Sequence, residues 1–214
     1  MRPHPVETGA RIKTLHSAFA EASFFAYERF LSNQEHLQDN PEEFQDSSNG
    51  ALIAGVETIV FSAMCFEAAI FDYAAWQLGD SYAKDHLEKL DVIAKWIIVP
   101  KLVCQAEIRK DRAPFARFKQ LITARNHLVH HKSEPFKFGD IEQLNKLERE
   151  NRKFVEDVHN AVRALVLMSF EMEVLIGPIH NPLPSYNSKV SLGLAPSPQM
   201  ANVIAECKKV FKRT

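Results

Sequence analysis

Within seven residues, Arg125-Asn126-His127-Leu128-Val129-His130-His131 gathers an arginine, an asparagine and three histidines. These residue types suit cleavage of RNA by attack of a 2′-hydroxyl on its neighbouring phosphate. That reaction moves protons near neutral pH, which imidazole does, and gathers negative charge on phosphoryl oxygens, which a guanidinium stabilises. In an ideal helix each residue turns by about 100°, so Asn126 and His130 share a face while Arg125 and His130 diverge by about 140°. A single rigid helix does not aim both at one phosphate. Either the helix ends near this point, or the Arg and His of two chains meet across a symmetric interface. A histidine in the last turn of a helix also sits at the partial negative end of its dipole, a place suited to a general acid or a phosphate binder.

Two other readings of the same residues stand beside this one. The segment can be a solvated helix end, since short motifs match by chance. Alternatively His127 and His131, four residues apart on one face, can begin a metal site, but no third ligand of Asp, Glu, His or Cys type is obviously placed beside them. Upstream, Arg109, Lys110, Arg112, Arg117 and Lys119 form a basic run that, with His127 and Lys132, can track an RNA backbone or form a solvated helix face. Phe115 and Phe118, inside that run, read as core rather than as base-stacking platforms.

The elements that must position these residues are helices. Residues 9–32 place Ile12, Leu15, Phe19, Ala22, Phe25 and Phe30 on one apolar face, and a polar loop with Asn40-Pro41 is expected from Ser32 to about Gly50. Residues 51–79, from Leu52 and Ile53 through Phe61, Phe66, Ile70 and Phe71 to Trp76, are apolar on nearly every side and mark a central helix. Asp80 and Ser81 can cap a third helix to about Val99, with Leu87, Leu90, Ile93, Ala94, Ile97 and Ile98 inward, which Pro100 breaks or kinks. Asp111 as cap and Pro114 in the first turn start a helix over about 112–131, ended by Pro135. Gly139-Asp140 opens another, about 140–176. Five prolines between Pro178 and Pro198 exclude a regular element there, and a short helix can close the chain over 199–212.

The 214 residues, with 46% apolar and 25% charged, fit one main globular domain with a sizeable core. The fold expected is an all-α, up-and-down bundle of about five main helices over residues 1–177, with an irregular proline-rich extension over 178–214. A net charge of −1 exerts no overall pull toward nucleic acid, so any such affinity must be local. The charge is in fact patchy. Residues 101–132 hold eight lysines and arginines against Glu107 and Asp111, and residues 28–46 hold six acids against Arg29. Cys65, Cys104 and Cys207 form no metal or redox pair and read as reduced thiols. The first residues read as no signal peptide, and Glu57, Glu67 and Asp72 interrupt the most apolar stretch, so a soluble cytoplasmic protein with no membrane partner is expected.

Arg125-Asn126-x-x-x-His130, near the end of a late helix that follows a very apolar one, resembles the Arg-Asn-x-x-x-His signature of the HEPN superfamily (higher eukaryotes and prokaryotes nucleotide-binding). The resemblance covers roughly residues 50–176 and implies a helical bundle that pairs as a homodimer. It further implies a metal-independent endoribonuclease of the toxin-antitoxin or antiphage kind, with no cofactor, with RNA as substrate, and with an antitoxin or regulatory protein as a further partner class. Some members of the family have lost catalysis and serve as nucleotide-, RNA- or protein-binding modules. By this likeness His130 is the acid/base residue, which His131 replaces or assists; Arg125 holds the phosphate and stabilises its charge, and Asn126 orients them. The family's acidic residue on the earlier apolar helix corresponds to Glu67. Glu67 either pairs with Arg125, since an unpaired carboxylate among Phe66, Ala68, Ala69 and Ile70 is costly to bury, or lies on an exposed edge.

Overall fold

Local signals start and stop most of the helices. The computed structural model describes residues 14–39, 44–137, 139–187 and 196–213, and among these there is helix and irregular chain but no strand. The elements are α1 (His16–Asp39), α2 (Phe44–Leu78), α3 (Asp80–Tyr82, running on into one π-helical turn at Ala83–Leu87), α4 (Val92–Cys104), α5 (Ala113–Val129), α6 (Ile141–Ile176) and α7 (Pro198–Phe211). The expected helix start at residues 9–13, the Asn40-Pro41 pair and residues 188–195 of the proline-rich segment lie outside the described residues.

Helix α2 is packed by α1, α4, α5 and α6. It is long and apolar enough to cross a membrane, but much of it is buried inside the bundle and supplies Phe66, Ile70 and Ala74 to the core. Its apolar length is accounted for by packing. Helices α1 and α2 run antiparallel, joined by a buried polar contact in which Ser23 Oγ donates to Thr58 O at 3.2 Å and lies 2.6 Å from Ser62 Oγ. Gly55 brings α6 close: an added Cβ would lie 2.6 Å from Phe154 Cζ and 2.9 Å from Val158 Cγ2. Helix α5 runs antiparallel to α6, with Arg112 paired to Glu171 at one end and Gln120 donating to Asp157 Oδ1 at 3.0 Å farther along.

Several expectations are corrected. Helix α1 continues through the expected loop to Asp39, and α2 already begins at Phe44. The buried face of α1 is Ala20, Ser23, Ala26, Tyr27 and Phe30, while Phe25 is 59% exposed. Ser23 can be buried because its hydroxyl finds partners on α2. Trp76, Leu52 and Ile53 are exposed, so α2 is not enclosed on every side. The third helix is two: the chain breaks after Leu87, and Asp91 caps α4 by accepting from Ala94 N at 2.9 Å. That restart shifts the buried positions to Lys95, Trp96, Val99 and Pro100. Pro100 does not end the helix; α4 runs on to Cys104 and stops at Gln105, whose φ is +56°. Asp111 does not cap α5: Arg112 stands at the N-cap with no side-chain cap bond, and the Asp111 carboxylate pairs with Arg109. Asp140 does cap α6, accepting from Glu142 N and Gln143 N.

The segment after α6 is held to the bundle. Ser169 Oγ donates to Pro184 O at 2.7 Å, and Asn181 Nδ2 donates to Ser169 O at 3.2 Å. Leu183, Met200, Val203 and Cys207 belong to the same buried cluster as α2 and α6.

Candidate functional site

Behind the motif, three rings lock α2, α4 and α5 together: Phe66 lies 4.7 Å from Phe118 and 5.5 Å from Trp96, centroid to centroid. Trp96 Nε1 donates to Phe66 O at 3.1 Å, so the indole is buried without an orphaned donor. Glu67 follows Phe66 directly. On α5, Phe118 and Ile122 occupy the core-facing stripe, and Arg125 is the next residue on it, three positions beyond Ile122. A guanidinium cannot enter the core unpaired, so this position forces Arg125 to the rim, where it is half-buried.

Two partners meet it there. Arg125 Nη2 lies 3.9 Å from Glu67 Oε2, and Nη1 donates to Asn126 Oδ1 at 3.1 Å. Glu67 is 54% exposed, so the ion pair is solvated and is not an answer to a buried carboxylate. Helical geometry puts Asn126 about 100° round from Arg125 and only about 40° from position 130. Its amide oxygen holds one end of the guanidinium, and Glu67 lies near the other.

Helix α5 ends at Val129. His130 is its C-cap, with its N–H donating to Asn126 O at 3.1 Å and its side chain exposed. His127 and His131 are exposed too, their ring centroids 6.1 Å apart. Past them the chain is pinned to α6 by Lys146, which donates to Glu134 Oε2 at 2.5 Å and holds the Glu134 carboxyl below the usual range. Among the described residues no group of three or more His, Cys, Asp or Glu could hold a metal ion, so His127 and His131 remain a pair.

A cleft of about 160 Å³ lies between α2, the start of α4 and α5, lined among others by Glu67, Asp91, Ile122, Arg125 and Asn126. One chain thus brings together Glu67, Arg125 and Asn126, whereas His127, His130 and His131 are not among the residues lining this cleft. Asp91 was missed in the sequence because the apolar stripe of residues 87–98 reads as one continuous helix. The available signal was an Asp directly before the apolar Val92-Ile93, an ordinary N-cap pattern. A larger cavity of about 250 Å³, near His16, Asp72, Trp76 and His180, contains no motif residue.

The basic run divides. Lys110, Lys119 and Lys132 are exposed, and Arg109 is exposed but paired with Asp111 at 3.0 Å. Arg117 reaches Gln120 and Asn160, both at 3.4 Å. Arg112 is corrected outright: it turns inward, donating to Glu171 Oε2 at 2.9 Å and Phe211 O at 3.1 Å, with its guanidinium 4.6 Å from the Phe211 ring centroid. It staples α5, α6 and α7 rather than facing a ligand. Phe115 and Phe118 are buried.

No family model matches the chain, and neither a curated protein nor a solved structure matches it.

Proposed function

We propose that the protein is a metal-independent endoribonuclease of HEPN type, acting as a homodimer on RNA. The observation that carries this reading is the gathering of Glu67, Arg125 and Asn126 in one cleft at the end of α5, with His130 as the C-cap of the same helix. In the proposed reaction a basic imidazole takes the proton of the 2′-hydroxyl, the 2′-oxygen attacks phosphorus, and the bond to the 5′-oxygen breaks as that oxygen gains a proton. The products are a 2′,3′-cyclic phosphate and a free 5′-hydroxyl. His130 moves the proton, assisted or replaced by His131. Arg125 holds the phosphate and its growing charge, and Asn126 and Glu67 fix the direction of its guanidinium. Lys110, Lys119 and Lys132, with Arg109, Arg117 and His127, guide the RNA backbone. A toxin or antiphage effector restrained by an antitoxin or regulatory protein is the biological setting proposed.

A second reading, a non-catalytic nucleotide-, RNA- or protein-binding module, is favoured by one observation: His130 does not line the cleft that holds Arg125. A composite site, with Arg125 of one copy and His130 of another, reconciles that observation with catalysis. The two readings separate on single-stranded RNA incubated with EDTA. Cleavage leaving cyclic phosphate ends, lost in His130→Ala with helix content unchanged, is the expected result. Mixed dimers of Arg125→Ala and His130→Ala chains regain activity if the site is shared. Retained cleavage by His130→Ala removes the proposed role of that residue, and a folded wild-type protein that cleaves no RNA leaves the binding module.

A further inference from the structure

Helix α6 is longer than the core that holds it. Its buried residues begin at Asp157, and residues 141–153, about 20 Å of helix, carry no buried side chain. Ile141, Leu144 and Leu147 are 71%, 47% and 44% exposed there. These are not scattered apolar residues. Leu144, Leu147, Asn151, Phe154 and Val158 follow one another at intervals of three and four, the spacing of a helix-pairing face. Farther along α6 that face is in use, because Phe154 and Val158 pack on α2 where Gly55 lets the two helices approach. At the start of α6 the same face is left open.

The polar residues around it show which flank is free. The segment after α5 folds back on one side: Lys146 donates to Glu134 Oε2, and Gln143 Oε1 accepts from Lys137 N at 2.9 Å. Helical geometry puts Gln143 about 100° from Leu144 in one sense, and Glu148 and Arg152 about 40° and 80° from it in the other. Both are exposed, and among the described residues neither has an ion-pair or hydrogen-bond partner. Lys146 and Lys153, by contrast, are paired along the helix with Glu150 and Asp157. One acid and one base on the free flank of an open apolar face form a pattern complementary to itself. When two identical helices pair antiparallel about a two-fold axis, each flank meets its own copy. With the axis at residue 150, midway between the two charges, Glu148 of each chain faces the partner's Arg152 and the two Leu147 side chains flank the axis. Asn151, a lone polar residue on the pairing face, disfavours shifted registers.

We infer that residues 141–153 of α6 are a self-pairing surface, on which a second copy of this chain lays its own α6 antiparallel. The inference deepens the homodimer of the reading above and rests on it for the existence of a pair, but it uses none of the chemistry. It also reaches the site: Glu134, held by Lys146 of this surface, stands three residues past His131, so the paired helix is tied to the histidine-bearing end of α5. Two helix stretches of this length bury less than the roughly 1,200 Å² of a standard interface, so a weak, concentration-dependent dimer is expected.

The test is sedimentation of the full chain up to several hundred micromolar, with helix content followed by circular dichroism. Wild type is expected to dimerise, and the double variant Leu144→Glu/Leu147→Glu to stay monomeric with its helix content unchanged, since both side chains are exposed. Glu148→Arg and Arg152→Glu each place like charges on both flank contacts and are expected to weaken the dimer about tenfold, the effect of losing two exposed ion pairs. Mixed in equal amounts, these two single variants are expected to pair with each other more tightly than either with itself, because every flank contact then joins opposite charges. A monomeric wild type overturns the surface whether or not RNA is cleaved. So does an unweakened dimer in the leucine variant, or a mixture no tighter than its components. A dimer that follows this pattern in a protein that cleaves no RNA upholds the surface and removes the nuclease.

Discussion

Replacing Arg112 by alanine separates a structural arginine from a ligand-binding one. Its side chain is 14% exposed and that of its partner Glu171 is 4% exposed, at 2.9 Å. Removing one member of so buried a pair leaves the other as an uncompensated charge, which costs about 3–5 kcal/mol. For a chain of this size 1 kcal/mol moves the melting point by roughly 2–4 °C, so a fall on the order of 10 °C is expected. Urea unfolding followed by far-ultraviolet circular dichroism at pH 7 measures the loss directly. The pH dependence adds a second check. Burial raises the Glu171 pKa, against the opposing pull of Arg112. A carboxyl raised in the folded state contributes stability that is complete below its ordinary value of 4.5 and lost as pH rises through the folded value. Without Arg112 the ionised form is worse placed still, so the deficit of the variant is largest at neutral pH and shrinks on acidification, as Glu171 takes up its proton. A variant within about 0.5 kcal/mol of wild type at pH 7, or a deficit that does not change with pH, would show that the pair is not buried and return Arg112 to the ligand-facing run.

Gly55→Ala gains up to about 1 kcal/mol of helix propensity but drives a Cβ into Phe154 and Val158, an overpacking worth about 1–3 kcal/mol, so the variant should be less stable in urea. A more stable variant would mean that α6 moves off α2 freely. His159, whose Nδ1 lies 2.8 Å from Tyr27 Oη, has its pKa lowered by burial and then by Arg163. The folded state therefore resists its protonation: stability is full above the ordinary value of 6.5 and is lost as pH falls from there through the lowered one. His159→Gln should flatten that part of the stability curve, and an unchanged slope would assign it to other groups. Lys119→Ala should lower the dependence of RNA affinity on salt by about one ion, whereas a slope equal to that of wild type would take Lys119 off the backbone track.

Order within single helices was legible in the sequence because its causes are local. Asp140 starts α6 through hydrogen bonds to residues two and three positions ahead, and Pro114 opens α5 where a missing N–H is harmless. The apolar run of α2 marked the centre of an all-α fold, and Arg125-Asn126 and His130 were visible as residue types at a spacing. Their arrangement depended on partners far along the chain. Ser23 entered the core and Phe25 stayed outside because Ser62 and Thr58, more than thirty residues away, satisfy the hydroxyl. Arg112 left the basic run for a carboxylate 59 residues on. Asp91 reached the cleft only because the third helix broke and restarted beside α2 and α5. Capping and periodicity act over three or four residues and can be read from letters; the pairing of buried polar groups is decided by which surfaces meet, and that exists only once the helices have packed.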